Sequence, residues 1–198
     1  MFTGIIAHSG LFNGYRQGKK ELALEASALA GRLAVGDSLA VNGVCLSLIR
    51  TDGRLLVFNL SRETLDRTNL GALRPGEELN LELPLTLATP LSGHLVSGHA
   101  DFKARLLRAA PRKPGKRLTF SLPREFRPYF IPKGSVAVNG VSLTVAALNP
   151  AAFEVEIIPI TLEKSNLRRL KAGDEANIEC DMVGKYVYNW ITRTNKKD

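Results

Sequence analysis

Apolar positions along the chain recur mostly two apart, in short stretches broken by Gly, Pro, Asn and Asp, and only the last stretch shows helical spacing. Residues 2–6 form an apolar run containing one glycine, and Ser9-Gly10 and Asn13-Gly14 follow, which predicts a first strand and then turns. Leu22 and Leu24, flanked by Glu21 and Glu25, predict a half-buried strand, and residues 27–33 predict a short helix with Ser27 as its N-cap. After Gly36-Asp37, Leu39 and Val41 stand at strand spacing, Asn42-Gly43 predicts a tight turn, and Val44, Leu46 and Leu48 resume a strand. Cys45 and Ser47 therefore share one face of that strand. Residues 54–59 predict another strand and residues 61–73 a short helical segment, while residues 78–83 alternate strictly. Beyond a Pro-, Thr- and Leu-rich linker at 84–92, strands are predicted at 103–107, 118–122, 153–158 and 175–180, with a short helix at 124–130 and a turn at 132–134. Val183, Tyr186, Val187 and Trp190 recur at steps of three and four, so residues 182–192 form a single amphipathic helix. Short strands at this spacing indicate an all-β chain of small closed barrels or sandwiches.

The pattern is written twice. Residues 38–47 read Ser-Leu-Ala-Val-Asn-Gly-Val-Cys-Leu-Ser, residues 135–144 read Ser-Val-Ala-Val-Asn-Gly-Val-Ser-Leu-Thr, and seven of ten positions are identical. The same offset of 97 places Thr64-Leu65 on Thr161-Leu162, Asn69-Leu70 on Asn166-Leu167, and Gly76, Glu78, Asn80 and Glu82 on Gly173, Glu175, Asn177 and Glu179. Such a period exceeds the roughly 20–50 residues of a solenoid repeat and suits a small domain. The expected organisation is one domain over residues 1–89, a second over 90–181, and a helix and tail over 182–198. Two homologous pockets would suit two similar ligands, and chemistry is to be sought where the halves differ. The cleanest difference in the decapeptide is Cys45 against Ser142.

Composition narrows the function. Two cysteines and three histidines, His8, His94 and His99, are too few and wrongly spaced for a disulfide framework or a metal site. No apolar run reaches the roughly 18–20 residues that span a bilayer, and no basic segment precedes the apolar start, so a cytoplasmic protein is expected, with no membrane partner. The net charge of +8 raises the question of nucleic acid. Its basic residues are scattered, however, and the densest group, Arg112, Lys113, Lys116 and Arg117, surrounds Pro114-Gly115 as in a hairpin tip without interleaved aromatics. A solvated loop is the better reading, and no nucleic-acid partner is expected.

Several motifs together resemble one family. They are the opening Met1-Phe2-Thr3-Gly4-Ile5-Ile6, the paired Val-Asn-Gly-Val-Cys/Ser-Leu elements, Glu63-Thr64-Leu65 through Thr68-Asn69-Leu70, residues 93–99 (Gly-His-Leu-Val-Ser-Gly-His), and Asn177-Ile178-Glu179-Cys180-Asp181. In order and spacing they resemble the alpha-type riboflavin synthases over essentially the whole chain. The resemblance implies two homologous six-stranded Greek-key barrels in tandem plus a C-terminal α-helix that helps to build a homotrimer. Each active site would then lie between the N-terminal barrel of one subunit and the C-terminal barrel of its neighbour. It further implies a dismutation in which a four-carbon unit passes between two molecules of 6,7-dimethyl-8-ribityllumazine, giving riboflavin and 5-amino-6-(ribitylamino)pyrimidinedione. No metal or organic cofactor is implied, and lumazine synthase is a further partner to consider.

Carried over by position, the resemblance makes Gly4, Ile5 and Ile6, with Gly98, His99 and Ala100 and with Ser142, Leu143 and Thr144, the holders of one lumazine; Phe2 joins the binding residues. Cys45, Leu46 and Ser47, then Asn59, Leu60, Ser61, Arg62, Glu63 and Thr64, then Lys133, then Ile157, Ile158, Pro159, Ile160, Thr161 and Leu162 would hold the other. It implies that His99 and Thr144 help to remove a proton from the C7 methyl group of one lumazine. Cys45 or Ser142 would add to the electrophilic carbon of the other, or direct water there, with Ser38 and Asp181 assisting proton movements. Asp181 faces Pro84 across the repeat, which fits a catalytic asymmetry, and capping of the helix is its alternative role. Four positions depart from the family pattern: Ser47 for Thr, Ala100 and Phe102 in Ala100-Asp101-Phe102 for Val-Asp-Gly, which would bring an aromatic ring close to the pocket, and Ile160 for Glu. A non-catalytic lumazine or flavin carrier of the same superfamily is the alternative, and the persistence of both decapeptides favours the enzyme.

Overall fold

The structure is a computed structural model that describes residues 1–194. Among these residues, twelve strands close into two antiparallel barrels of six. The first contains β1 (His8–Arg16), β2 (Glu21–Glu25), β3 (Ser38–Val41), β4 (Val44–Asp52), β5 (Leu55–Asn59) and β6 (Glu78–Glu82), in the order β1-β2-β5-β4-β3-β6. The second contains β7 (Phe102–Arg112), β8 (Gly115–Ser121), β9 (Ser135–Val138), β10 (Val141–Asn149), β11 (Ala152–Ile157) and β12 (Glu175–Cys180) in the equivalent order. The alternation of the sequence sets this arrangement. In β4 the residues Val44, Leu46 and Leu48 enter the barrel, and in β10 Val141, Leu143 and Val145 do the same. Asn42 and Asn139 take the left-handed conformation (φ 46° each) and are followed by glycine, as the tight turns between β3 and β4 and between β9 and β10 require. After β5 comes α1 (Arg62–Arg67), after β11 α2 (Pro159–Lys164), and after β12 α3 (Met182–Thr194).

Three local expectations are corrected. Residues 2–6 are not a strand: Phe2 forms a lone bridge to Val96, and β1 begins at His8. The Glu82 carboxylate takes up the donors of Thr3 and Gly4, drawing this segment away from strand pairing. Ser9-Gly10 and Asn13-Gly14 lie inside β1, where a Cβ on Gly10 would approach Glu25 O to 2.8 Å and Gly14 follows a register shift in the pairing with β2. The helix expected over 27–33 is a single 3-10 turn, Ser27–Leu29, entered from Ala26 with no side-chain cap, and Leu29 is its buried anchor.

The barrels meet along a pseudo-twofold axis lined with asparagines. Asn80 Nδ2 donates to Asn139 O at 2.9 Å and Asn177 Nδ2 donates to Asn42 O at 2.9 Å. The amide of Asn69 donates to Asn177 Oδ1 and that of Asn166 to Asn80 Oδ1, both at 2.7 Å. Each of these four bonds has its partner at the 97-residue offset. A Cβ on Gly43 would lie 2.5 Å from Gly140 N, so the two turns touch where side chains do not fit. Beside them Phe2, Ala40, Val96 and Ala137 form a small apolar cluster between the barrels. Glu78 of the first barrel binds Arg168 and Arg169 of the second at 2.6–2.7 Å.

Candidate active site

Cys45 and Ser47 do share a face, and it is the outer face of the first barrel, since the intervening Leu46 is buried in its core. Ser142 and Thr144 stand likewise on the second barrel. Ladder register puts Ser38 beside Ser47 and Ala40 beside Cys45, and Ala40 in turn pairs with Glu82. The same row in the second half runs from Ser142 through Ala137 to Glu179.

The leading segment of each half crosses to the other half. Ser142 N donates to Gly4 O at 2.8 Å, and Cys45 N donates to Gly98 O at 2.8 Å. Ile6 is buried in the core of the second barrel, while Ala100 packs against that of the first. The crossing is held by two buried carboxylates: Glu82 accepts from Thr3 N, Thr3 Oγ1 and Gly4 N, and Glu179 accepts from Ser97 N, Ser97 Oγ, Gly98 N and His99 N. Burial pushes the Glu82 carboxyl above its usual range, with the bonds from Thr3 and Gly4 acting against that rise. At Gly4 and Gly98 (φ 75° and 84°) a Cβ would stand 2.6 Å from Ser142 Cβ and Cys45 Cβ respectively, so only glycine admits this approach.

Within one chain the candidate residues fall into two groups, one on each barrel. The segment of Gly98, His99 and Ala100 meets the first barrel at Cys45, through Gly98, whereas that of Gly4, Ile5 and Ile6 meets the second at Ser142, through Gly4. The strand ends that follow place Asn59 and residues 60–64 on the first barrel and residues 157–162 on the second. Phe2, Ile6, Leu46, Leu60, Leu143 and Ile157 are buried, with Phe2 in the inter-barrel cluster and the others on barrel cores, which leaves them mainly backbone atoms to offer. Lys133 lies in the loop before β9 with φ 67°, its amide bonded to Val145 O and its side chain exposed.

The two rims differ in polarity. Ser61 caps α1 by accepting from Thr64 N at 3.0 Å, and Arg62, Glu63 and His99 are exposed around it. At the equivalent places on the second barrel stand Ile158, Pro159, Ile160 and Ile5, with the three isoleucines 46–55% exposed. A cavity of about 500 Å³ adjoins His99 and Ala100, bounded by Glu63 of α1 and by Lys185 and Tyr186 of α3. A larger groove of about 800 Å³ follows the asparagine axis and contains none of the candidate residues; its walls are Arg74, Glu77, Lys171 and Asp174 among others, and its asparagines are already bonded to one another.

Phe102 and Asp181 have definite surroundings. Phe102 does not itself line the cavity: it is buried in the second core, its ring stacked at 4.4 Å on that of Phe126, which does line it, and 6.5 Å from that of Phe130. Asp181 caps α3, with Oδ1 accepting from Val183 N at 3.0 Å and its carbonyl accepting from Lys185 N. Next to it Cys180 is buried, and burial together with the Asp101 carboxylate holds its thiol far above the usual range, so it is structural. The sequence reading missed His94, whose Nδ1 lies 2.7 Å from Ser142 Oγ. No spacing signal marks this contact, because it joins two segments 48 residues apart.

The Lumazine binding domain family matches residues 3–84 and again residues 97–181. Riboflavin synthase of Mycobacterium tuberculosis (strain ATCC 25618 / H37Rv) is 37% identical, covering 94% of this chain and 96% of that protein. Riboflavin synthase of Bacillus amyloliquefaciens is 33% identical and that of Bacillus subtilis (strain 168) 31%, each over 99% of this chain and 92% of theirs. Among solved structures, LumP complexed with riboflavin superposes with a TM-score of 0.81 at 19% identity, over 91% of this chain and 99% of that one. LumP complexed with 6,7-dimethyl-8-(1'-D-ribityl) lumazine gives 0.80 at 17% over the same shares. The chain belongs to the lumazine-binding family, in its riboflavin synthase group.

Proposed function

We propose that the protein converts two molecules of 6,7-dimethyl-8-ribityllumazine into riboflavin and 5-amino-6-(ribitylamino)pyrimidinedione by moving a four-carbon unit from one to the other. It is an enzyme, a transferase. The observation that carries the reading is the repeated outer-face site, with Cys45 bonded to Gly98 on the strand that carries Ser47 and Ser142 bonded to Gly4 on the strand that carries Thr144. Two identical heterocycles must lie face to face to react. Matched pockets supply that proximity, which can be worth about 7–11 kcal/mol of a barrier.

The remaining differences between the pockets let one lumazine act as donor and the other as acceptor. His99 and Thr144 assist removal of the C7 methyl proton, and Cys45 or Ser142 engages the electrophilic carbon. In a single chain His99 lies with the first barrel's site and Thr144 with the second's, so their cooperation needs the two kinds of site brought face to face. Juxtaposition of one chain's first barrel with another chain's second barrel does this. The exposed Val183, Tyr186, Val187, Trp190 and Ile191 of α3 support assembly, and the assembly is a homotrimer. The protein works in the cytoplasm; none of its described helices is long and apolar enough to cross a membrane.

Incubation of the metal-free protein with the lumazine, followed by riboflavin absorbance and fluorescence, tests the reading. Riboflavin should form at half the amount of lumazine consumed. Tight lumazine binding without riboflavin would make the protein a carrier instead.

A further inference from the structure

We propose that His94 is a positioning residue of the second barrel's site, holding the Ser142 hydroxyl in the orientation used on the bound lumazine. The inference rests on the synthase reading and adds to it a residue outside the candidate set. His94 Nδ1 lies 2.7 Å from Ser142 Oγ, a full-strength hydrogen bond. Its Nε2 is buried without a partner among the described residues. An imidazole that merely filled space would leave both nitrogens in water or both paired, because an unpaired buried polar group costs about 1–3 kcal/mol. This ring instead gives one nitrogen to the serine and keeps the other away from solvent.

The surroundings fix the pair. Ser142 N donates to Gly4 O, and His94 N donates to Thr3 O at 3.2 Å, so one crossing segment holds both residues. Gly93 lets the chain come this close: a Cβ there would lie 2.2 Å from Thr3 O and 2.9 Å from Ser142 Cβ. The hydroxyl therefore has few orientations left. With Nδ1 protonated, Ser142 accepts and its own hydrogen is free for the ligand; with Nδ1 bare, Ser142 donates and its lone pairs are free. Either tautomer orders the hydroxyl, as a base partner does for a serine.

The other half lacks this device. Cys45 has the same backbone bond to Gly98 but makes no side-chain hydrogen bond among the described residues, and it packs on the apolar cluster of Phe2, Ala40, Val96 and Ala137. The paired sites are thus unequal in chemistry at the same repeat position. One offers an unpaired thiol and the other a hydroxyl held by an imidazole.

The test is steady-state turnover and equilibrium lumazine binding for His94→Phe, His94→Asn, Ser142→Ala and the double variant His94→Phe/Ser142→Ala. His94→Phe should lower kcat by about tenfold or more while the Kd for lumazine moves by less than about threefold. His94→Asn, whose amide can reach the place of Nδ1, should recover most of the lost kcat. In the Ser142→Ala background His94→Phe should add less than about a twofold loss, as expected for residues acting as one unit. Wild-type kcat in His94→Phe overturns the inference, as does an equal loss with and without Ser142, or a fall in affinity that matches the fall in kcat. A wild-type protein that binds lumazine and forms no riboflavin overturns the synthase reading instead, and the inference with it.

Discussion

Cys45 and Ser142 occupy the same repeat position, yet their neighbours give them different chemistry. The thiol sits half-buried against apolar side chains, and the hydroxyl is held by an imidazole. Replacement of Cys45 by Ser should lower turnover by about tenfold or more with little change in lumazine affinity, because the two side chains nearly match in size and differ in nucleophilicity. Parallel kcat and Kd measurements check this, and an unchanged kcat would remove Cys45 from the chemistry. A second expectation concerns acid. Burial, and then Arg32, lowers the pKa of His8, while burial lowers that of His94 against the opposing charges of Asp181 and Glu179. Below their ordinary pKa of about 6.5 the unfolded chain therefore binds more protons than the folded one, so stability falls as pH falls through that window. Urea melts from pH 7.5 to 5 should show the decline, and it should be shallower in His94→Asn, with the His8 contribution remaining. None of this was readable from residue type, since exposure and partners of a histidine depend on chain segments far away in sequence.

At the scale of elements, local pattern succeeded wherever a strand had one wet face and one dry face. β4 and β6 fall where alternation placed them, and β10 where the repeat of the decapeptide did. It failed at residues 2–6, whose apolar run looks like a strand but sends Phe2 into the cluster between the barrels and Ile6 into the second core, with Glu82 bonding the segment between them. It also overextended the segment at 27–33, where one buried leucine anchors a single turn. Helical spacing identified α3 correctly, yet α3 leaves Val183, Tyr186, Val187, Trp190 and Ile191 in solvent, with Trp190 73% exposed. A helix of this length gains most of its stability from packing, so its stripe should be covered by other copies of the chain. Deletion of residues 182–198 should leave folded monomers with little activity, measured by sedimentation and riboflavin formation. Fully active monomers would contradict a site shared between chains.

For the whole molecule, the six asparagines at the pseudo-twofold axis are what turn two barrels into one body. Five of them, Asn42, Asn80, Asn139, Asn166 and Asn177, are at most 7% exposed. Asn80→Ala would orphan Asn139 O and Asn166 N, and Asn177→Ala would orphan Asn42 O and Asn69 N, at about 1–3 kcal/mol for each group left unpaired. The two substitutions should therefore cost similar amounts of stability in chemical melts, as pseudo-symmetry demands; a large cost for one alone would mean that the barrels do not share the network equally. The sequence by itself determined the duplication, the strand faces, the tight Asn-Gly turns and the family, because these depend on residue order and on side-chain periodicity. It also carried the asparagine positions in both copies, without their purpose. Only the tertiary structure decided that each half lends its leading segment to the other, that Phe102 belongs to a core, that Asp181 caps a helix and that His94 meets Ser142. Those contacts span 48 to 138 residues of sequence or turn on which way one side chain packs, and short-range pattern carries no information about either.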